Sequence, residues 1–410
     1  MDKASLKDHR QIGQELDLFS FHDVAPGAVF WHHKGWIIYR VLQEFIREKL
    51  SKEEYQEIST PVMVKSDLFK KSGHWDFYSE HMFNLDVEKE PYSLKPMNCP
   101  EASLIYGTKT RSYQDLPLRF SEFGILHRNE LSGVLGGLFR VRQFVIDDAH
   151  HFIAPSQIQD EIQKLLLLVV DFYKLLGFKP EFYFATKPDK AMGDAKLWQE
   201  AEKDLELALK DAKVKYGIKE KDGAFYGPKI DIHIKDSQDR DWQLATIQLD
   251  FQIPNQLQLE YIDKDGKPKR PVMIHRAILG SLERFIGILT EHYQGAFPLW
   301  LAPVQVMILP IADRHEEAAR KITKQLKENG IRAELDNRPE RLQAKIRDSS
   351  LQKVPYLGII GDKEIQNSEF RIQNYDKILL SVRTRQGKDL GQMNLSAFLN
   401  KLKEEIDKKI

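Results

Sequence analysis

The chain has 410 residues, 42% hydrophobic and 30% charged, a globular composition that excludes a disordered or fibrous class and suggests two or three domains. Lys plus Arg and Asp plus Glu are both 61, so no global basic excess points to nucleic acid. The imbalance is local, with 21 basic against 16 acidic residues in 301–410 and 40 against 45 in 1–300. The single cysteine, Cys99, excludes an intramolecular disulfide and fits a reducing compartment. The start, MDKASLKDHR, lacks the apolar segment of a signal peptide. The longest apolar run, LLLLVV at 165–170, falls far short of the ~20 residues that span a bilayer. A soluble, cytoplasmic protein with no membrane segment is expected.

In chain order, GWIIYRVLQEFIREKL (35–50) has apolar residues at helical spacing and a basic end, which predicts a helix. YQEISTPVM (55–63) alternates and contains Pro61, as an edge or interface strand does. HMFNLDV (81–87), PYSLKPM (91–97), PLRFSEFGILHRNE (117–130) and FRVRQFVIDDAHHFI (139–153) read as strands joined by turns. IQDEIQKLLLLVVDFYKLLG (158–177) and LWQEAEKDLELALKDAKVKYG (197–217) read as amphipathic helices. KIDIHIKD (229–236), RDWQLATIQLDFQI (240–253) and PVMIHRAILG (271–280) are strands, and GSLERFIGILTEHY (280–293) is a helix. Consecutive strands without regular helical crossovers predict a mostly antiparallel sheet. Beyond 300 the pattern alternates: APVQVMILPI, EEAARKITKQLKENG, IRAELD, PERLQAKIRDSSLQ and VPYLGIIGDKE predict a small α/β unit with parallel strands. The expected class is α+β, with one domain over 1–300 and a second over 301–410, divided at PLWLAPVQ (298–305).

Three stretches carry chemistry. Cys99 in KPMNCP has no CxxC or HxxxH partner nearby, so alone it reads as a small buried hydrophobe. In VRQFVIDDAHH, alternation puts Phe144, Ile146, Asp148 and His150 on one face and Val145, Asp147, Ala149 and His151 on the other. His275 lies inside the apolar strand MIHRAILG. Cys99, His150 and His275 together offer three N/S ligands and an open position, the catalytic kind of zinc site. Separately, ILHRNE and FRVRQF put arginines on two strands flanking the turn LSGVLGG, and GSLERF places Arg284 in the first turns of a helix. The guanidinium fork suits a triphosphate, and Phe144 suits stacking on a base. No Walker A pattern or GxGxxG is present.

HRNE, FRVRQF and GSLERF follow the order of motifs 2 and 3 of class II aminoacyl-tRNA synthetases. DHRQIGQELDLF, APGAVFWH, GHWDFY, KPMNCP, QDLPLRF, EFGILHRNE, DDAH, GAFYGPKID, WQLATIQLDF and VMIHRAILGSLERFIGILTEHY resemble the threonyl-tRNA synthetase family from about residue 8 onward. The stretch from WLAPVQV through VRTRQGKDLG resembles that family's anticodon-binding domain. The resemblance implies activation of threonine with ATP and Mg2+, transfer to tRNA(Thr), and one zinc per subunit on Cys99, His150 and His275. It gives Asp148 the threonine hydroxyl and Tyr226 the amine, with Met97, Gln243, Thr246 and Ser281 also at the threonine. It gives Arg128 the α-phosphate and carboxylate, Glu130 the adenine edge, Phe144 and Arg284 the two sides of the base, and Arg140 the outer phosphates. Lys229 and Gln248 match further active-site positions, with Gln248 among those that bind ATP. Arg128, Arg284 and Lys229 are the implied catalytic residues, with His74 assisting the ribose hydroxyl of tRNA. STPVM with Pro61 resembles motif 1 and implies a homodimer. Arg338, Arg341 and Arg385 are implied anticodon contacts.

The family's long form has two further N-terminal domains, TGS-like and editing. This chain opens where the catalytic domain opens, so no editing in cis is expected. Four departures stand at sensitive places: Ile146 for the usual Gln, Glu101-Ala102 for Gly-His after MNCP, Gly136 for a His, and Pro339 in DNRPERLQAKIR at a position used for anticodon contact. They leave a second reading open, a diverged paralogue that activates an amino acid without efficient tRNA charging.

Overall fold

A computed structural model describes residues 6–366 and 378–409. The chain forms two compact units. One comprises Phe21–Val29 and Gln43–Ile288; the other takes the described residues of 1–20, 30–42 and 289–410.

The first unit is built on an eight-stranded sheet. Its strands are β1 (Gln56–Glu57), β2 (Leu118–His127), β3 (Gln143–Ile153), β4 (Glu181–Ala185), β5 (Tyr216–Lys219), β6 (Lys229–Lys235), β7 (Asp241–Asp250) and β8 (Val272–Ser281). Their spatial order is β5-β4-β6-β7-β8-β3-β2-β1. All pairs are antiparallel except β4 with β5 and β1 with β2, so the parallel pairs sit at the two edges. β8 is buried from Val272 through Leu279 because it is central and covered on both faces, which is why its sequence reads as a nearly unbroken apolar run. A helix packs against one face (α3, Ile158–Leu175), burying Ile158, Ile162, Leu165, Leu166, Val169, Phe172 and Tyr173 at helical spacing. Its Tyr173 hydroxyl donates to the Ile278 carbonyl of β8. The opposite face carries α2 (Cys99–Tyr106), whose Tyr106 ring stacks on Phe152 at 4.3 Å between centroids. Each large side chain buried this way contributes roughly 1.5–3 kcal/mol.

Two elements differ from the sequence expectation. FRVRQF is not wholly strand: β3 begins at Gln143, and Val141 and Leu138 turn inward from the preceding loop. The helix expected over 197–217 stops at Asp211, and Tyr216–Lys219 forms the edge strand β5. There the Tyr216 ring meets Phe184 of β4, and tertiary pairing overrides local helical periodicity. YQEISTPVM supplies the other edge, with a strand of only two residues.

The second unit holds β9 (Val306–Pro310), β10 (Ala333–Leu335), β11 (Tyr356–Ile360), β12 (Leu379–Thr384) and β13 (Asp389–Asn394), in the order β10-β9-β11-β12-β13. The first three are parallel, as the alternating pattern predicts, and β12 and β13 add an antiparallel hairpin. Alternation along β9 sends Val306 and Ile308 into a core with Ile322, Leu326, Phe398 and Leu402. Met307 and Leu309 face the other side, against Leu342 and Ile346. These two cores place helices Glu316–Glu328 and Leu395–Asp407 on one face and Leu342–Leu351 on the other. No helix among the described residues is long and apolar enough to cross a membrane.

Candidate active site

The register of the sheet brings the three candidate ligands together. His150 of β3 lies directly opposite His275 of β8, so both imidazoles leave the same face, their ring centroids 5.0 Å apart. Cys99 opens α2 above them. One ligand atom from each of Cys99, His150 and His275 lies within 4.8 Å of the others, and all three residues are buried. Asp250 of β7 holds His275, with Oδ2 2.9 Å from Nε2, and the Tyr226 ring stacks on the same imidazole at 4.6 Å. His74 is fully buried, its Nε2 3.1 Å from Cys99 Sγ and its Nδ1 2.8 Å from Ser72 Oγ. Burial pushes the Cys99 thiol up and the His150 imidazole down, and it lowers His74 to about 3. Burial thus keeps the His150 imidazole neutral, with a lone pair to offer, and keeps Cys99 as a thiol, which must lose its proton to bind a metal. Three buried N/S donors, one oriented by a carboxylate, fit zinc.

Asp148 sits two residues before His150 on the same face, its Oδ2 3.9 Å from His150 Nε2. Burial raises its carboxyl to about 6, against a hydrogen bond from the Asn98 amide. Met97, half-buried, packs in the apolar cluster that contains Cys99 and Tyr226. The Tyr226 hydroxyl donates to Gln248 Oε1, and Gln248 Nε2 donates to Thr246 Oγ1 at 3.1 Å. Lys229 lies opposite Gln248 and pairs with Asp231 at 2.8 Å. Simple alternation would put Gln243 on the other face from Thr246. A bulge at Leu244 restores it, because Gln243 pairs with His233 while Thr246 pairs with Asp231. Gln243 is exposed at the far end of that column. Ser281 Oγ accepts from the Arg284 amide at 3.2 Å, at the start of the helix Leu282–His292.

The arginines lie in the same unit, Arg128 and Arg140 on a loop and Arg284 on a helix. Arg128 and Arg140 lie in the connection between β2 and β3, whose two ends are tied by the bond of 2.8 Å from the Arg128 N–H to the Arg142 carbonyl. The Arg128 guanidinium lies 5.1 Å from the Phe144 ring centroid and 5.5 Å from that of Tyr78. Phe144 thus faces Arg128 in this structure, while Arg284 donates from Nε to the Phe139 carbonyl at 2.9 Å. Burial lowers Arg284, and the positive fields of Arg140 and Arg128 add to the effect. Glu130 accepts from Arg140 Nε at 2.9 Å. Three guanidiniums against one carboxylate make a net positive cluster whose chemistry suits an anion.

The departures have structural readings. Ile146 packs against the cluster of Leu126, Val141 and Phe144. Glu101 is buried, neither carboxylate oxygen has a partner among the described residues, and burial pushes it up to about 8. A side chain at Gly136 would meet nothing within 4 Å, so glycine is not sterically required there. In the second unit Arg338 pairs with Asp336 at 2.7 Å and Asp348 at 3.1 Å. It lines, with Pro339, Arg341 and Lys345, a groove of about 350 Å³. Arg385 is not part of that groove; its guanidinium donates to the backbone carbonyl of Phe297 at 2.7 Å, a structural use that the sequence did not reveal. Sequence reasoning also missed Asp250, although it shares parity with Gln248 and Thr246 along one strand.

The sequence matches the tRNA synthetase class II core domain (G, H, P, S and T) over residues 81–293 and an anticodon binding domain over residues 305–405. It is 50% identical over 406 residues to a threonine–tRNA ligase of Caldanaerobacter subterraneus subsp. tengcongensis, covering 99% of this chain and 62% of that protein. It is 49% identical over 410 residues to a threonine–tRNA ligase of Clostridium kluyveri, covering 100% of this chain and 63% of the relative. The chain thus spans under two thirds of the length of these curated relatives. Among solved structures, the RNA binding domain of threonyl-tRNA synthetase from Cryptosporidium parvum superposes with a TM-score of 0.93 at 39% identity, covering 97% of this chain and 98% of that one. With this match over nearly the whole of a solved domain, and with the class II core in place, the chain belongs to the threonyl-tRNA synthetase branch of the class II tRNA synthetase family.

Proposed function

We propose that the chain carries the activating and charging machinery of a threonine–tRNA ligase. Threonine and ATP would yield threonyl-adenylate and pyrophosphate, and the threonyl group would pass to tRNA(Thr). The observation that carries this reading is the convergence of Cys99, His150 and His275 beside Asp148. The arginine cluster of Arg128, Arg140 and Arg284 lies in the same unit.

Cys99, His150 and His275 would hold zinc, which when bound supplies a Lewis-acidic contact for the amino and hydroxyl groups of threonine. Asp148 would accept the hydroxyl hydrogen, and Tyr226 with Gln248 would seat the amine. Met97, Thr246, Gln243 and Ser281 would complete the walls. Arg128 would hold the substrate carboxylate beside the α-phosphate of Mg2+-ATP. A carboxylate oxygen attacks the α-phosphorus, and the bond to the bridging oxygen breaks as pyrophosphate leaves. Arg140, Arg284 and Lys229 would neutralise the developing charge, so catalysis is positioning plus electrostatics with no covalent enzyme intermediate. Phe144 and Arg284 would flank the adenine, and Glu130 would accept from its edge on release from Arg140. His74, buried against Cys99, would serve the transfer step only after the site rearranges around the tRNA end. Valine, isosteric with threonine, leaves Asp148 unpaired and is rejected strongly, whereas serine lacks only a methyl, worth ~1–3 kcal/mol.

Residues 1–300 are proposed as the activating domain and 301–410 as the anticodon-binding domain, with the Arg338–Arg341 groove reading the anticodon. The two-residue edge strand β1, followed by Pro61, fits a homodimer contact. A cytoplasmic location fits a free buried cysteine. The test is amino-acid-dependent ATP–pyrophosphate exchange on zinc-loaded protein with threonine, serine and valine. Strong exchange with threonine, weaker with serine and none with valine is expected. No exchange with threonine would overturn the reading in favour of a diverged paralogue.

A further inference from the structure

Asn98 stands at the N-cap of α2 but makes no side-chain bond to the helix backbone. An N-cap asparagine ordinarily accepts from an N–H of the first turn. Here the side chain is fully buried and turned toward β3, where Nδ2 donates to Asp148 Oδ2 at 3.0 Å. A carboxylate can only accept, so chemistry fixes the amide orientation: Nδ2 faces Asp148, and Oδ1 faces away. That Oδ1 is buried with no partner among the described residues.

The amide rests on Gly124 of β2. A Cβ at Gly124 would lie 2.1 Å from Asn98 Oδ1 and 2.5 Å from both Cγ and Nδ2. Gly124 is not in the left-handed region, so the glycine serves space alone. A forgone cap, an unpaired buried oxygen and a glycine inside a strand are each unfavourable. All three converge on one hydrogen bond to Asp148. The Asp148 side chain makes no other hydrogen bond among the described residues and stays 13% exposed.

We infer that Asn98 is a positioning residue for substrate specificity: seated on Gly124, it holds Oδ2 of Asp148 and leaves Oδ1 as the acceptor for the hydroxyl of a hydroxyl-bearing amino acid. The inference rests on the proposed activation of threonine. Without the amide, the Asp148 carboxylate is free to rotate, and the hydroxyl loses a fixed acceptor while the metal ligands and the arginines stay in place.

The test compares wild type, Asn98→Ala and Gly124→Ala, all zinc-loaded, in pyrophosphate exchange with threonine, serine and valine. Bound zinc and the KM for ATP are measured alongside. In either variant kcat/KM should fall about tenfold or more for threonine and serine alike, the scale of one hydrogen bond to a charged group. The fall should appear mainly in the KM of the amino acid. The affinity for valine, read as inhibition of threonine-dependent exchange, should hold, as should the threonine-to-serine ratio, bound zinc and the KM for ATP. An equal loss of affinity for all three amino acids, valine included, a loss of zinc, a raised KM for ATP or no change in threonine kinetics would overturn the role of Asn98. A wild type inactive with threonine would overturn the proposed function itself, and the Asn98 role with it. Asn98→Ala decides the matter even where Gly124→Ala fails to fold.

Discussion

The strand Gln143–Ile153 carries a carboxylate and an imidazole on each of its two faces, and the two faces use them differently. On one face Asp147 accepts from the Ile278 and Leu279 amides at 3.0 and 2.8 Å, and Arg276 Nη1 donates to its carbonyl at 2.7 Å. His151 on that face bonds Tyr55 at 2.8 Å and Glu161 at 3.1 Å, and Arg119 closes the network on Glu161 at 2.6 Å. On the other face, among the described residues, the Asp148 side chain has one hydrogen bond, from Asn98, and the His150 side chain has none. The same residue types at the same spacing thus give a carboxylate and an imidazole bonded by several partners on one face, although Arg276 Nε and Nη2 there are buried without hydrogen-bond partners among the described residues, and a sparsely bonded pair at the candidate site on the other. On this strand the carboxylate and imidazole left short of partners, rather than their mere presence, distinguish the candidate site face.

The largest expected effect breaks the more fully bonded face. Asp147→Ala strands Arg276, whose side chain is fully buried, and should cost about 3–5 kcal/mol in denaturant unfolding. Zinc content per folded molecule should not change, and a loss of zinc would mean that the two faces are not independent. Next, Cys99→Ser on the candidate site face should lower zinc affinity and threonine-dependent exchange by about 100-fold or more, at or beyond the upper end of the range for residues that only support ligands. Unfolding without added metal should stay within about 1 kcal/mol of wild type, because the serine hydroxyl is of similar size and has His74 Nε2 beside it as a hydrogen-bond partner. Unchanged metal content and exchange would remove the metal assignment. Asp250→Asn keeps the shape but weakens the hold on His275, and a loss of about tenfold in zinc affinity is expected in competition with a chelator.

The smallest effect sharpens the comparison at the start of the strand. Glu283 is buried, accepts from the Val145 amide at 3.0 Å, and is pushed up to about 8 by burial. In the unfolded chain it titrates near 4.5. Its folded pKa is raised, so its contribution is fully present below about 4.5 and is lost as pH rises through about 8. Glu283→Gln should flatten that slope in unfolding experiments across the same window, while wild type weakens toward the alkaline side. A variant with the wild-type slope would place the titration elsewhere.

Much of the fold was legible because each strong periodicity met no competing partner. The helix expected over 35–50 forms as His33–Ser51, and the parallel pattern beyond 300 forms as read. The failures have physical causes. VKYG was absorbed into a helical pattern that an edge pairing with β4 overrode, and FRVRQF alternates like a strand although its first four residues precede β3. At the site, residue types and parity placed Asp148 and His150 on one face. Neither could announce the bulge at Leu244, the seat of Asn98 on Gly124 or the carboxylate behind His275. Nor could they announce that the Arg385 guanidinium donates to the Phe297 carbonyl.

By itself the sequence determined the inventory: three N/S donors, an arginine set, two sheets and the periodicities that build them. Tertiary structure decided which donors meet. Cys99 and His275 lie far apart along the chain, and they face each other only because β8 pairs with β3 in one register and α2 starts above it. A shift of one residue in that pairing would send His275 to the face of Arg276 and dissolve the site. Local preference specifies a strand and its two faces. Which neighbour lies across from it, and whether a buried group finds a partner there, depends on contacts that only the folded chain supplies.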